Sequence, residues 1–265
     1  MRHPDHNRLV DIVRAWYTYS YPEMGYHREQ RRFGSYSRNL DVPYSTTNQV
    51  TVRGAAPGQV LEFLADVREY YGNQPVHIWM DDRQTDAELG PVLLAAGCSR
   101  VSAETFLAHI GPVPEALPIS GLAIEPVTPA NLSEYVVTKL KGFANSEVEP
   151  TSDEMEAELA LRRAELAGEG RFLLARIQSE PAGVIGWYEG QDRFIAQIAT
   201  RVPFRRRGIA KRLLCHVLAD AYAQGCRSVI INADPDDTPI QIYRRLGFTD
   251  EVYWRQQYQL HADSA

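Results

Sequence analysis

The stretch Phe194-Ile-Ala-Gln-Ile-Ala-Thr200-Arg-Val-Pro-Phe-Arg205-Arg-Arg-Gly208-Ile-Ala210-Lys-Arg-Leu-Leu214 decides the fold of its half of the chain. It reads as a strand up to Thr200, a short turn crowded with arginine, and then a long helix. From Gly208 to Gln224 the apolar residues Ile209, Leu213, Leu214, Val217, Leu218 and Ala221 recur at helical spacing, and Gly225 stands where a left-handed residue closes a helix. A helix N-terminus presents backbone N–H groups without partners and the positive end of the helix dipole, so a turn at this place suits an anion. Gly208 and the small Ala210 let the backbone close around it, while Arg205, Arg206, Arg207 and Lys211 add charge. A pyrophosphate fits such a site.

Working outward, Ser228 to Ala233 reads as a β-branched strand, Thr238 to Arg245 as a short helix and Val252 to Leu260 as a final strand. Upstream, Leu122 to Val127 is a strand, and Thr128-Pro129-Ala130-Asn131 opens a helix running to about Phe143. Thr151-Ser152-Asp153-Glu154 opens a second helix, acidic in its first turn, that ends near Gly168. Arg171 to Gln178 and Ala182 to Glu189 form a hairpin across Ser179-Glu180-Pro181. This order predicts an α/β fold: a mixed, mostly antiparallel sheet with helices on both faces. Prolines and glycines interrupt residues 110–121, so two domains are expected, 1–115 and 122–265.

Arg205-x-x-Gly208-x-Ala210 resembles the acetyl-CoA motif of the GNAT superfamily of N-acyltransferases, Gln/Arg-x-x-Gly-x-Gly/Ala, and it follows a strand as in that family. Ile242-Tyr243-x-x-x-Gly247-Phe248 resembles the family's Leu-Tyr-x-x-x-Gly-Phe at the expected distance. The resemblance spans Leu122 to Leu260 and implies acetyl-CoA as acyl donor. It further implies that the backbone of Ile198, Thr200 and Val202 pairs with the pantetheine arm, and that the amides of Arg206, Arg207, Gly208, Ile209, Ala210 and Lys211 hold the pyrophosphate. Arg205 and Arg207 would supply charge at its rim, and Tyr243 would be the acid that protonates the departing thiolate. Where the family often carries Asn and Ala before the tyrosine, this chain has Asp236 and Pro239, so Asp236 becomes the candidate for the Asn-type contact to the cofactor arm.

A base is needed to free the acceptor amine of its proton. Glu147, Glu149, Glu189 and Gln197 are the polar residues in suitable places, although an amide such as Gln197 cannot serve as a base. His216 falls inside the long helix and His77 in a strand. The acceptor class, a small-molecule amine or a peptide, stays open, as do acyl chain length and oligomeric state. A non-catalytic acyl-CoA-binding or sensory module is the alternative reading.

The N-terminal half begins with a helix, Arg8 to Tyr17, and a tyrosine-rich stretch, residues 17–44, with little periodicity. From Gln49 a strand, a helix (Gly58 to Tyr70), a strand (Val76 to Met80), a helix (Asp86 to Ala95) and a strand (Arg100 to His109) repeat the order seen after Phe194. Leu89-x-x-Val92-Leu93-x-x-x-Gly97-Cys98 aligns with the segment around Tyr243, with Leu93 in place of the tyrosine, and Gly54-Ala-Ala-Pro-Gly58 has no arginine cluster. This half is therefore expected to be a degenerate GNAT-like domain in tandem with an intact one, with a small unrelated α/β module as the alternative.

Bulk properties bound the rest. The 265 residues are 44% hydrophobic and 23% charged, the composition of a globular protein, and no apolar run approaches the length of a membrane span. The N-terminus carries no signal-peptide core, so a cytoplasmic protein without membrane partners is expected. A net charge of −6 argues against general nucleic-acid binding. Cys98, Cys215 and Cys226 lack the spacing of a metal site, and none is expected.

Overall fold

The computed structural model describes residues 2–18, 26–39 and 48–262, and residues 19–25 and 40–44 of the tyrosine-rich stretch lie outside these. The chain divides into two compact units. The first comprises Arg2–Phe106, Ala233–Asp237 and the chain from Glu251 onward; the second comprises Leu107–Asn232 and Thr238–Asp250. The sequence places a single join at residues 110–121, whereas these units exchange chain again after Asn232 and inside the last strand.

The first unit contains α1 (His6–Thr18), β1 (Tyr26–Arg31), β2 (Gly34–Asn39), β3 (Gln49–Val52), α2 (Val60–Tyr71), β4 (Val76–Met80), α3 (Arg83–Ala95) and most of β5 (Ser99–His109). Its strands run in the order β1-β2-β3-β4, followed by the last strand of the chain and then β5. Only β3 and β4 are a parallel pair within β1–β4. The registers decide what each face carries. Tyr36, Val50 and Ile78 lie across from one another and bury against Phe63, Val67, Leu89 and Leu93 of α2 and α3. One residue along, Ser35, Thr51 and Trp79 lie across from one another on the opposite face, since strand side chains alternate.

The hairpin of β1 and β2 falls where the sequence gives little periodicity. Its strand residues, His27-Arg-Glu-Gln-Arg31 and Ser35-Tyr-Ser-Arg38, offer only Tyr36 to the core. Pro91, inside α3, sits in the second half of a helix that Asp82 caps by accepting from the Thr85 amide at 2.7 Å.

The second unit contains β6 (Leu122–Pro126), α4 (Leu132–Ala144), α5 (Ser152–Ala167), β7 (Gly170–Ile177), β8 (Glu180–Tyr188), β9 (Asp192–Thr200), α6 (Ile209–Ala223), most of β10 (Ser228–Ala233), α7 (Pro239–Arg245) and the start of β11 (Phe248–Leu260). Its order is β10-β9-β8-β7-β6, with β9 and β10 parallel and the remaining pairs antiparallel. A mixed, largely antiparallel sheet with helices on both faces is thus what the chain forms. Tyr135 and Val136 of α4 pack on Phe172, Leu174, Val184 and Ala199 on one face. On the other, Arg193 of β9 reaches α6, where it meets the Val217 carbonyl (3.3 Å), Asp220 (2.8 Å) and Gln224 (3.2 Å). Arg193 is 1% exposed, so these partners are what make its burial tolerable. Thr151 and Glu154 form the capping box that starts α5. Among the described residues no helix is long and apolar enough to cross a membrane, and no cluster of three metal-ligating side chains occurs.

Candidate acyl-CoA site

The site grows from a mismatch between β9 and its two neighbours. On one side β9 pairs with β8 along its length to Thr200, opposite Gly183, but the register shifts so that Ala196 has no partner between the Ile195–Trp187 and Gln197–Gly186 pairs. Such a bulge bends the strand and increases its twist. On the other side β10 pairs with β9 only from Asp192 to Ile195. From Ala196 to Thr200, therefore, the edge of β9 that faces β10 has no strand partner among the described residues. An open edge of this kind can accept an extended ligand as an added strand. The sequence-predicted residues Ile198 and Thr200 lie on it, and Val202 opens the 3-10 turn Val202–Phe204 just beyond. The Thr200 hydroxyl is buried without a partner.

Beyond the 3-10 turn the backbone changes hand twice. Arg206 has φ 63° and Gly208 has φ 82°. A left-handed arginine is strained, whereas glycine adopts that conformation freely. The first bond closing α6 runs from the Arg212 amide to the Gly208 carbonyl at 2.9 Å, so the amides of Arg206 to Lys211 precede it and are left for a ligand. Ile209 is buried and anchors the helix start; Arg206, Arg207, Gly208 and Lys211 are exposed. Arg207 lies over the Phe204 ring at 5.5 Å.

Arg205 has a task that sequence reasoning did not assign to it. Its guanidinium donates to the Thr200 carbonyl (3.0 Å), the Gly142 carbonyl (2.8 Å) and Asn145 Oδ1 (2.5 Å). It therefore ties the end of β9 to the C-terminal end of α4, where Asn145 is itself left-handed. The proline-rich segment also approaches the turn: Arg212 donates to the Ala116 carbonyl at 3.2 Å, and a side chain at Gly208 would come within 3.7 Å of Ile119.

Tyr243 lies on α7, 6% exposed, its ring edge-on to Phe248 at 6.3 Å. Pro239 occupies the first turn of that helix, where a missing N–H costs nothing. Gly247 is held at φ 96°, and a Cβ there would lie 2.8 Å from His109 Nε2 and 2.9 Å from the Ile110 carbonyl. The glycine of the second motif is therefore required by close packing. Asp236 is in the Ala233–Asp237 link, which belongs to the first unit, and its amide bonds Asp234 Oδ1 at 2.9 Å.

The four candidates for the base are placed as follows. Glu147 is paired with Arg201 (2.5 Å), Glu149 with Lys141 (2.5 Å), and Glu189 lies 3.3 Å from Arg171 and 3.6 Å from Arg193. Gln197 is buried on the α4 face of β9 with its Oε1 unpartnered. Tyr135 of α4 is fully buried there with its hydroxyl also unpartnered, and burial raises its pKa well above the ordinary phenol value. Both border the point where Gly186 lacks a side chain: a Cβ there would lie 2.8 Å from Gln197 Cγ and 2.8 Å from the Tyr135 hydroxyl.

A parallel strand pair that parts at a bulge, followed by an amide-lined turn opening a helix, is the architecture of an acyltransferase fold. Residues 138–248 match the acetyltransferase (GNAT) family. That stretch contains Ile198 to Lys211, Asp236 and Tyr243. Similar solved structures extend over nearly the whole chain. A conserved protein of unknown function from Staphylococcus epidermidis has 13% identity, a TM-score of 0.66, and covers 92% of this chain and 98% of its own. A GCN5-related N-acetyltransferase from Sphaerobacter thermophilus has 16% identity and a TM-score of 0.63, covering 96% and 86%. A tandem GNAT protein from the clavulanic acid biosynthesis pathway has 13% identity and a TM-score of 0.62, covering 97% and 88%. At such identities the likeness is one of fold, and it includes the two-domain arrangement.

Proposed function

We propose that the second unit transfers an acetyl group from acetyl-CoA to a primary amine of a small molecule or peptide. The observation that carries this reading is the sequence of features along one stretch of backbone: an unpaired strand edge from Ala196 to Thr200, then the amides of Arg206 to Lys211 at the start of α6. The first would hold the pantetheine amides and the second the pyrophosphate, which fixes the thioester relative to the bulge. The amine nitrogen attacks the thioester carbonyl carbon, the C–S bond breaks, and the thiolate takes the phenolic proton of Tyr243. The amine's proton leaves to solvent through the polar groups on the α4 face, and Tyr243 regains a proton from solvent. Orientation of the two reactants supplies much of the rate.

Replacing Tyr243 by Phe is expected to lower kcat on the order of a hundredfold with acetyl-CoA affinity unchanged, the usual scale for a lost general acid. Thiol release over a panel of amines measures the first and calorimetry the second. Unchanged turnover would remove Tyr243 from the chemistry.

One observation favours a binding module instead: Gln197 stands where a strand acid could act, and Glu147, Glu149 and Glu189 are all engaged by cations. Tight acetyl-CoA binding with no thiol release for any amine would support that reading. The first unit is proposed to be a GNAT-like domain that has lost acyl-CoA binding. A cytoplasmic setting agrees with Cys98, Cys215 and Cys226 all being free thiols.

A further inference from the structure

The proline-rich segment between β5 and β6 belongs to the second unit and takes no part in the chemistry at the thioester. It runs back along the first turn of α6. Arg212 of α6 holds the Ala116 carbonyl at 3.2 Å, and one helical turn earlier a Cβ on Gly208 would lie 3.7 Å from Ile119 Cδ1. As the chain enters β6, the Ile119 carbonyl accepts from the Leu122 amide at 3.2 Å. The stretch Ala116 to Ile119 is thus fixed at both ends, and Pro118 restricts its backbone in between.

Two side chains of this stretch set an apolar border beside a basic turn. Leu117 is 78% exposed, and Ile119 is half-buried against Gly208. Arg206, Arg207, Gly208 and Lys211 remain exposed, so the segment flanks the turn without covering it.

We propose that Leu117 and Ile119 form the shelf on which the adenine base of acetyl-CoA rests. The proposal depends on the acyl-CoA reading of the second unit. On that reading pantetheine reaches the turn from Thr200, the pyrophosphate takes the amides of Arg206 to Lys211, and the nucleoside leaves past Gly208, where Ile119 stands. An adenine ring presents broad faces that gain by leaving water, so it calls for hydrocarbon surface more than for charge. Leu117 gains in turn, because the base removes its exposed surface from water. A segment already held by Arg212 and by the turn into β6 offers this surface without being ordered first. The acyl group sits at the opposite end of the ligand, by the bulge, so the shelf is indifferent to acyl chain length.

The test is calorimetry of the full-length protein with two donors, acetyl-CoA and S-acetyl-4′-phosphopantetheine, which keeps the thioester arm and one phosphate but lacks the adenosine. Leu117→Ser and Ile119→Ala should each weaken acetyl-CoA by roughly three- to tenfold, the scale of one apolar contact, and leave the shorter donor unchanged. Leu117→Trp, which offers the base an aromatic face, should tighten acetyl-CoA by about threefold. Leu117 is exposed, so its two variants read binding without a cost in folding. Full acetyl-CoA affinity in both Leu117→Ser and Ile119→Ala, or an equal loss for the two donors, would overturn the shelf and leave the acyl-CoA reading standing. No binding of acetyl-CoA to the unaltered protein would overturn both.

Discussion

After β9 the chain passes through Arg205, Arg206, Arg207 and Gly208, turning left-handed twice before α6 begins; after β3 it passes through Arg53, Gly54, Ala55 and Ala56 into the 3-10 turn Pro57–Gln59 that precedes α2. Both turns follow the first strand of a parallel pair and lead to a helix and then the second strand. They differ in what happens to their amides. At the first unit's turn the Gln59 amide donates to the Ala56 carbonyl (2.8 Å) and the Ala56 amide to the Gln59 side chain (3.3 Å). At the second unit's turn the amides of Arg206 to Lys211 precede the first helical bond. A phosphate site needs free donors as well as positive charge, and the first unit has engaged the Ala56, Gln59 and Val60 amides in its own cap.

The strongest way to break this contrast is Gly208→Asp. It sets a carboxylate at the anion position, so acetyl-CoA affinity should fall by on the order of a hundredfold or more. Retained affinity in calorimetry would place the cofactor elsewhere. A slightly smaller effect separates the halves by ligand protection. Acetyl-CoA at 100 times its Kd should slow alkylation of Cys215 on α6 by up to about a hundredfold, if opening of the second unit exposes it. Cys98 in the first unit, whose thiol burial pushes up to about 11, should react slowly and at the same rate with or without ligand. Equal protection of both would mean that the two units open together.

Arg205→Ala removes the tie from β9 to α4 and leaves the Gly142 carbonyl and Asn145 without their donor. Affinity should drop by roughly tenfold and stability by about 1–2 kcal/mol. A loss of affinity with no loss of stability would return Arg205 to direct contact with the phosphates. The smallest expected effect is none. Ala55→Arg together with Ala56→Arg adds charge to the first unit's turn without freeing its amides, and acetyl-CoA should still bind one per chain. A second equivalent would show that charge alone suffices.

How far the sequence reached depends on whether the signal was local. The helix read from Gly208 to Gln224 is Ile209–Ala223, with Gly225 left-handed at φ 80° just beyond it, and Ser228–Ala233 and Val76–Met80 are strands as read. These segments announce themselves by periodicity and punctuation over a dozen residues or fewer. The bulge at Ala196 leaves no mark in composition, because it is defined by which residues of β8 it fails to meet. Arg205 was legible as a motif residue, but its three acceptors come from β9, α4 and Asn145, and only folding brings them together. The β1–β2 hairpin escaped for the opposite reason: its face away from α2 and α3 is polar, with Ser35 and Ser37 buried, so the alternation that marks an ordinary strand is faint.

The division of β11 between the units bears on how the protein is made. Met80 pairs with Gln256 and Val76 with Leu260, so a central strand of the first unit's sheet is supplied by a segment far along the chain from the strand it joins. The half that is synthesised first must then hold β4 with one edge open until that segment has been made, and an open edge invites pairing with other chains. The N-terminal half is encoded first but cannot complete its sheet until β11 arrives, and a protein cut just before Glu251 would lose a central strand of the first unit.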